Sequence, residues 1–221
     1  MERLKDYDNL YLLYCRSRNK VIAPFFFFLI LFVLAFATFL VDGFPFELTL
    51  VMMGMIFPAI LLGIIWPIFS IRMKKSLKAF SPQQLHIINN EILSNTMYEK
   101  LLVTSQAVVS NKLGLVLVPI ANIVWVYTEV VVDKLEDIIP LYKQTSLIIA
   151  CRDRKKYIFR IKNNGKAFQF IQEELLRHRQ DIVFVNERGM EEIYKNDINR
   201  MIAFGQECAR ERQKKMQESQ L

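Results

Sequence analysis

Two uncharged apolar runs stand near the start of the chain, Val21 to Val41 and Leu48 to Ile71, with 21 and 24 residues. A helix rises 1.5 Å per residue and needs roughly 20 apolar residues to cross the hydrocarbon of a bilayer. Each run is long enough, so the pattern predicts two transmembrane helices at 21–41 and 48–71. Only Asp42 to Glu47 joins them, with Gly43 and Pro45 as turn residues, which makes the pair a tight hairpin with an outer loop at 42–47. A cleaved signal sequence fits the first run poorly, because its apolar stretch is too long and a second span follows at once.

A third apolar stretch, Leu113 to Thr128, has 16 uncharged residues. It is short for a span, is interrupted by Pro119, and is rich in Val and Ile, which favour a pleated sheet over a helix. Buried sheet is the expectation. Leu101 to Ser110 reads as two short strands or one bent strand, Asn111 to Gly114 as a turn, Gly114 to Pro119 as the return, and Ile123 to Val132 as a long strand. In "SLIIACRDRKKYIFRIK", Tyr157, Phe159 and Ile161 alternate with polar neighbours around a turn at Arg152 to Lys155, which predicts a hairpin. The period then changes. Phe168, Ile171, Leu175 and Leu176 recur at helical spacing, "DIVFV" reads as a short strand, and a last helix runs from about Met190 to Ser219, its polar end fraying into solvent. Upstream, Ser81, Pro82 and Gln84 form the start signal of a linker helix, with Gln84 at the capping-box position.

Charge sets the orientation. Arg3, Lys5, Arg16, Arg18 and Lys20 precede the first run, Arg72, Lys74, Lys75 and Lys78 follow the second, and the loop between has no Lys or Arg. Basic residues concentrate on cytoplasmic flanks, so both termini are expected in the cytoplasm. The chain carries a net +7, yet from residue 79 onward it has 20 Lys and Arg against 17 Asp and Glu. Over half of the excess is therefore juxtamembrane, and nucleic acid is not an expected partner. Mean hydropathy is +0.20, and 7 of the 17 Phe stand in the first run. The three cysteines, Cys15, Cys151 and Cys208, are scattered and are expected to be reduced thiols.

The stretches "LLVTSQAVVS", "VPIANIVWVY", "SLIIACRDRKKYIFRI" and "GKAFQFIQEEL" resemble those of the bacterial membrane-anchored pleckstrin-homology-like family, in which a two-helix hairpin precedes the domain. The first matches a T-x-x-x-x-x-S strand and the second a P-x-x-x-I-x-W-x-Y strand. The resemblance covers about residues 100–185 and implies a small antiparallel sheet or barrel closed by a helix. It implies little about activity, because a fold alone does not deliver function. Phosphoinositide binding is not carried over, since the loop after the first strands holds a single basic residue, Lys112.

The fold class expected is thus α+β: an N-terminal arm at 1–20, a transmembrane hairpin at 21–71, a juxtamembrane linker helix at 72–98, a cytoplasmic pleckstrin-homology-like domain at 99–186, and a C-terminal helix and polar tail at 187–221. Catalytic motifs are missing from the sequence. His86 and His178 lie about ninety residues apart, and no nucleotide-binding or nucleophile-elbow pattern occurs. Neither enzyme activity, nor a metal, nor a cofactor is expected. Two basic clusters remain as interaction candidates: Arg72, Lys74, Lys75 and Lys78 facing lipid, and the hairpin tip Arg152, Arg154, Lys155 and Lys156 facing an acidic partner or headgroups. These features point to a two-span protein of the bacterial cell membrane with the bilayer, anionic headgroups or another membrane protein as partners. Its expected role is a scaffold or interaction module, with an accessory subunit of a larger transporter or envelope complex as the alternative.

Overall fold

A computed structural model describes residues 6–42, 67–68, 70–111, 114–135, 139–162 and 164–218. The chain divides into two compact units, residues 1–93 with 110–117, and residues 94–109 with 118–221. The expected outer loop and most of the expected second span lie outside the described residues.

The first unit is led by helix α1, Asp8–Asp42, of 35 residues. Its portion Asp8–Leu34 is long and apolar enough to cross a membrane, judged by length and composition. The helix begins well before the apolar run at Val21, so residues 8–20 are not a separate arm. Leu10, Leu13, Tyr14 and Ser17 are buried at spacings of three and four, the stripe a helix presents to a neighbour. Met73 and Phe80, and Leu85 and Ile88 of helix α2 (Pro82–Ser94), are buried in the same unit. The start of α1 takes its cap from α2. Asn89 Oδ1 accepts the backbone N–H groups of Asn9 (3.0 Å) and Leu10 (3.2 Å), while Asn9 Nδ2 donates to the Asn89 carbonyl. Two amide groups that a helix start leaves unpaired are thereby satisfied from a distant element. The linker is not one helix: residues 70–77 are helical, the chain turns at 78–81, and α2 then starts on the expected capping box. Gln84 N–H donates to Ser81 Oγ, and Ser81 N–H donates to Gln84 Oε1.

After α2 the chain is α+β. Strands β1 (Leu101–Val103), β2 (Ala107–Ser110) and β3 (Val116–Pro119) form one three-stranded sheet in that order. Thr104, fully buried, makes the β1–β2 bend: its Oγ1 accepts the Ala107 N–H and donates to the Ala107 carbonyl, both at 2.9 Å. A 3₁₀ turn at Ile120–Asn122 leads into β4 (Ile123–Leu135), which pairs antiparallel with β5 (Ile139–Cys151), and β5 pairs with β6 (Lys156–Ile161). The third apolar stretch is therefore sheet, as its β-branched composition predicts.

Helix α3 (Asn164–His178) packs on β4 and β5 and buries Ala167, Ile171 and Leu175. The expected strand "DIVFV" reduces to a single parallel bridge between Val183 and Trp125. The final helix is two, α4 (Met190–Asn196) and α5 (Ile198–Glu218), broken at Asp197, whose Oδ1 accepts the Arg200 N–H at 3.0 Å. Both belong to the core. Met190, Tyr194 and Met201 cluster with Trp125, Tyr127, Ile148 and Ala150, so the expected boundary at residue 186 falls inside a packed unit. The polar end of α5 is not a free tail either, because Arg212 Nη1 donates to the carbonyls of Gln180 and Ile182 and its guanidinium lies over the Phe184 ring.

Candidate functional site

The concave surface of the second unit grows from strand register. On one face of the β4–β5–β6 sheet, Trp125, Ala150 and Lys156 form one rung and Tyr127, Ile148 and Ile158 the next. Side chains two apart on a strand share a face, so Trp125 and Tyr127 stack, with centroids 3.9 Å apart and planes at 20°. Ala150 between Trp125 and Lys156 is small enough to let the lysine lie across. Lys156 Nζ sits 5.9, 5.8 and 5.5 Å from the ring centroids of Trp125, Tyr127 and Tyr194.

The segment after α3 closes one side. Val126 N–H donates to the Val183 carbonyl and Val183 N–H to the Val124 carbonyl. Side chains continue the tie where the ladder stops: Trp125 Nε1 donates to the Val185 carbonyl at 2.8 Å and Asn186 Nδ2 to that of Thr128 at 3.3 Å. Gly189, at φ 92°, then turns the chain into α4, a conformation that suits glycine. The result is an open cleft of about 470 Å³, floored by the aromatic rungs and rimmed by Glu129, Ile158, Glu187, Arg188 and Glu191.

Two charged groups of the cleft are paired with one another. Lys156 Nζ pairs with Glu191 at 3.0 Å and also donates to the Tyr127 hydroxyl at 3.2 Å. Burial alone would pull this amine down, but those two partners outweigh it and hold it above the ordinary lysine range. Glu191, bonded to Lys156 and then to Lys195, is held below the usual carboxylate range. Behind it, the Tyr194 hydroxyl donates to the carbonyl of Cys151, and burial pushes this phenol up to about 12.

The sequence groups Lys156 with the hairpin tip, and the fold separates them. Arg152, Arg154 and Lys155 are exposed at the turn, where Lys155 pairs with Asp153, whereas Lys156 turns back over the aromatic floor. An acidic partner at the tip would therefore meet three of the four residues, one of them already paired. Trp125 packs on the sheet, and the helices in its cluster are α4 and α5. Of the first basic cluster, Arg72, Lys74, Lys75 and Lys78 are all exposed, with Met73 between them buried. His86 and His178 are both exposed, and no group of three potential metal ligands occurs among the described residues. No family model, curated protein or solved structure matches the chain.

Proposed function

We propose that this chain is an integral membrane protein whose N-terminal hairpin, at 21–41 and 48–71, holds a cytoplasmic interaction domain of pleckstrin-homology-like architecture at the membrane surface. The observation that supports the anchor is the exposed flank of α1. Phe26, Phe27, Leu29, Ile30, Val33 and Leu34 all stand open directly after Lys20. A contiguous apolar belt of this kind is unfavourable in water and matches the hydrocarbon of a bilayer. The domain's role is binding rather than chemistry. Its cleft is open, the lysine over its aromatic floor is already paired with Glu191, and the apolar Ile158 is exposed at the rim for a partner side chain to cover.

Topology tests this reading. In a background lacking Cys15 and Cys208, a cysteine placed at residue 44 is expected to react with an impermeant maleimide added to intact cells. Cysteines at residues 5 and 154 are expected to react only after the membrane is opened. Labelling of residue 154 from outside would overturn the proposed orientation, and release of the chain by alkaline carbonate would overturn the anchor.

A further inference from the structure

We infer that the cytoplasmic mouth of the anchor is a binding surface for anionic phospholipid headgroups, formed by basic residues from two segments of the first unit. This inference rests on the membrane reading above. Arg16, Arg18 and Lys20 lie on α1 immediately before its apolar run, and Arg72, Lys74, Lys75 and Lys78 follow the last uncharged residue of the second run, Ile71. Six of the seven are exposed, and Arg18 is half-buried with its guanidinium over the Tyr14 ring at 6.0 Å.

Two features distinguish this collar from an ordinary charged surface. The first is the lack of compensation. Residues 9–20 and 72–90 contain no Asp or Glu, and among the described residues none of the seven basic groups is in an ion pair. Elsewhere acidic residues are interspersed with the basic ones: from residue 79 onward 17 Asp and Glu accompany 20 Lys and Arg, and Lys155, Lys156, Arg177, Arg179 and Lys195 are in ion pairs. The second is placement. On a helix rising 1.5 Å per residue, each of the seven lies within about 10 Å along its own segment of the nearest uncharged run, close to one Debye length at ~0.1 M salt. The neighbouring exposed side chains are apolar, Phe26, Phe27 and Ile30 on α1 and Ile68 and Ile71 on the other segment. Apolar groups to enter the hydrocarbon and unpaired cations just above it are complementary to a lipid with acyl chains and a phosphate that keeps its negative charge. A basic residue near an anionic leaflet contributes about 1 kcal/mol. The surface also has an internal order. Met73 is buried, so Arg72, Lys74, Lys75 and Lys78 are held on the open side of their segment.

The test uses the full chain purified in mild detergent, where membrane orientation plays no part. Native mass spectrometry would read the lipid retained from equal mixtures of phosphatidylglycerol and phosphatidylcholine. Preferential retention of phosphatidylglycerol is expected, and the combined change Arg72→Gln, Lys74→Gln, Lys75→Gln and Lys78→Gln is expected to reduce that preference at least about tenfold. Removing Arg152, Arg154 and Lys155 in the same way is expected to leave it unchanged, and inorganic phosphate is not expected to displace the lipid. Equal retention of the two lipids, an equal loss in the hairpin-tip variant, or displacement by phosphate would each overturn the inference. A chain that carbonate does not extract but that shows no lipid preference would sink this inference alone. A chain that carbonate releases would sink the anchor beneath it.

Discussion

The indole Nε1 of Trp125 donates to the carbonyl of Val185, a partner sixty residues away in sequence, at 2.8 Å. The bond fastens the segment after α3 to β4 at the point where the backbone bridge at Val183 has ended. The same ring is 1% exposed and lies against Tyr127 and Tyr194, so it also carries the contact between the sheet and the last two helices. Trp125→Ala is expected to cost roughly 3–5 kcal/mol, the range for a large aromatic lost from a core. Trp125→Phe keeps part of the packing and removes the donor, leaving the Val185 carbonyl unpaired, for about 1–3 kcal/mol. Denaturant unfolding of the full chain in detergent separates the two. An unchanged stability in Trp125→Phe would mean that the hydrogen bond contributes nothing of its own.

Arg179 closes a second long-range tie. Its Nη1 donates to the carbonyls of Ile120, Ala121 and Ile123 at 2.7, 2.9 and 2.9 Å, while Nε and Nη2 fork onto Asp181 at 2.6 Å each. The planar five-donor guanidinium can serve all of these acceptors, which a lysine cannot. Arg179→Lys is therefore expected to destabilise almost as much as Arg179→Ala, by about 1–3 kcal/mol. The arginine also gives a pH signature. Hydrogen bonding to Arg179, ahead of an opposing burial cost, holds Asp181 below the ordinary carboxylate range. A carboxylate whose folded pKa is depressed contributes stability that is present above its unfolded value, near 3.9, and is lost as pH falls through the folded value. Asp181→Asn should flatten the decline in stability as pH falls below about 4, relative to the parent chain. An identical acid limb in parent and variant would refute the assignment.

Gly205 on α5 leaves no room for a side chain. A Cβ built there would lie 2.1 Å from the Asp181 carbonyl oxygen, a backbone atom that cannot swing aside. The helix therefore packs directly on the chain that carries the Arg179–Asp181 pair, and Arg212 binds the carbonyls on either side of Asp181. Gly205→Ala normally favours a helix by about 1 kcal/mol, but here overpacking of roughly 1–3 kcal/mol or more opposes it. Thermal unfolding is expected to show net destabilisation. A stabilised variant would show that α5 can move off this segment.

Some of this architecture is legible in residue patterns and some is not. The β5–β6 hairpin and the Ser81–Gln84 cap are local: alternation and a four-residue signature suffice to find them. The start of α1 is harder, because Arg16, Arg18 and Lys20 read as a flank and draw attention from the stripe Leu10, Leu13, Tyr14 and Ser17, which carries the helical signal. Its cap is not readable at all, since Asn89 comes from a different helix. Lys156 belongs by sequence to a basic run, and only register, with Ala150 as the small residue between it and Trp125, moves it into the cleft. The end of α5 looks like solvated tail for a similar reason. Arg212, which anchors it, binds backbone carbonyls that have no sequence signature. The Asp197 cap in "NDINRM" is a local signal, and the reading of one helix from Met190 to Ser219 passes over it.

Cys151 supplies a reporter for the whole second unit. Its side chain is buried where β5 ends, and its backbone is bonded on both sides, the N–H to the Lys155 carbonyl and the carbonyl to the Tyr194 hydroxyl. Burial pushes the thiol up to about 12, with the nearby Lys155 charge only partly opposing it. The thiolate is the reactive form, so at neutral pH Cys151 is expected to resist alkylation in the folded chain. Cys15 and Cys208 are partly exposed and serve as internal references in the same digest. Cys151 should become reactive only in step with denaturant unfolding, and Tyr194→Phe should accelerate its labelling by releasing the carbonyl beside it. Rapid modification of Cys151 in the untreated parent chain would show that β5 and α4 separate readily, and that the cleft between them is not the fixed surface described above.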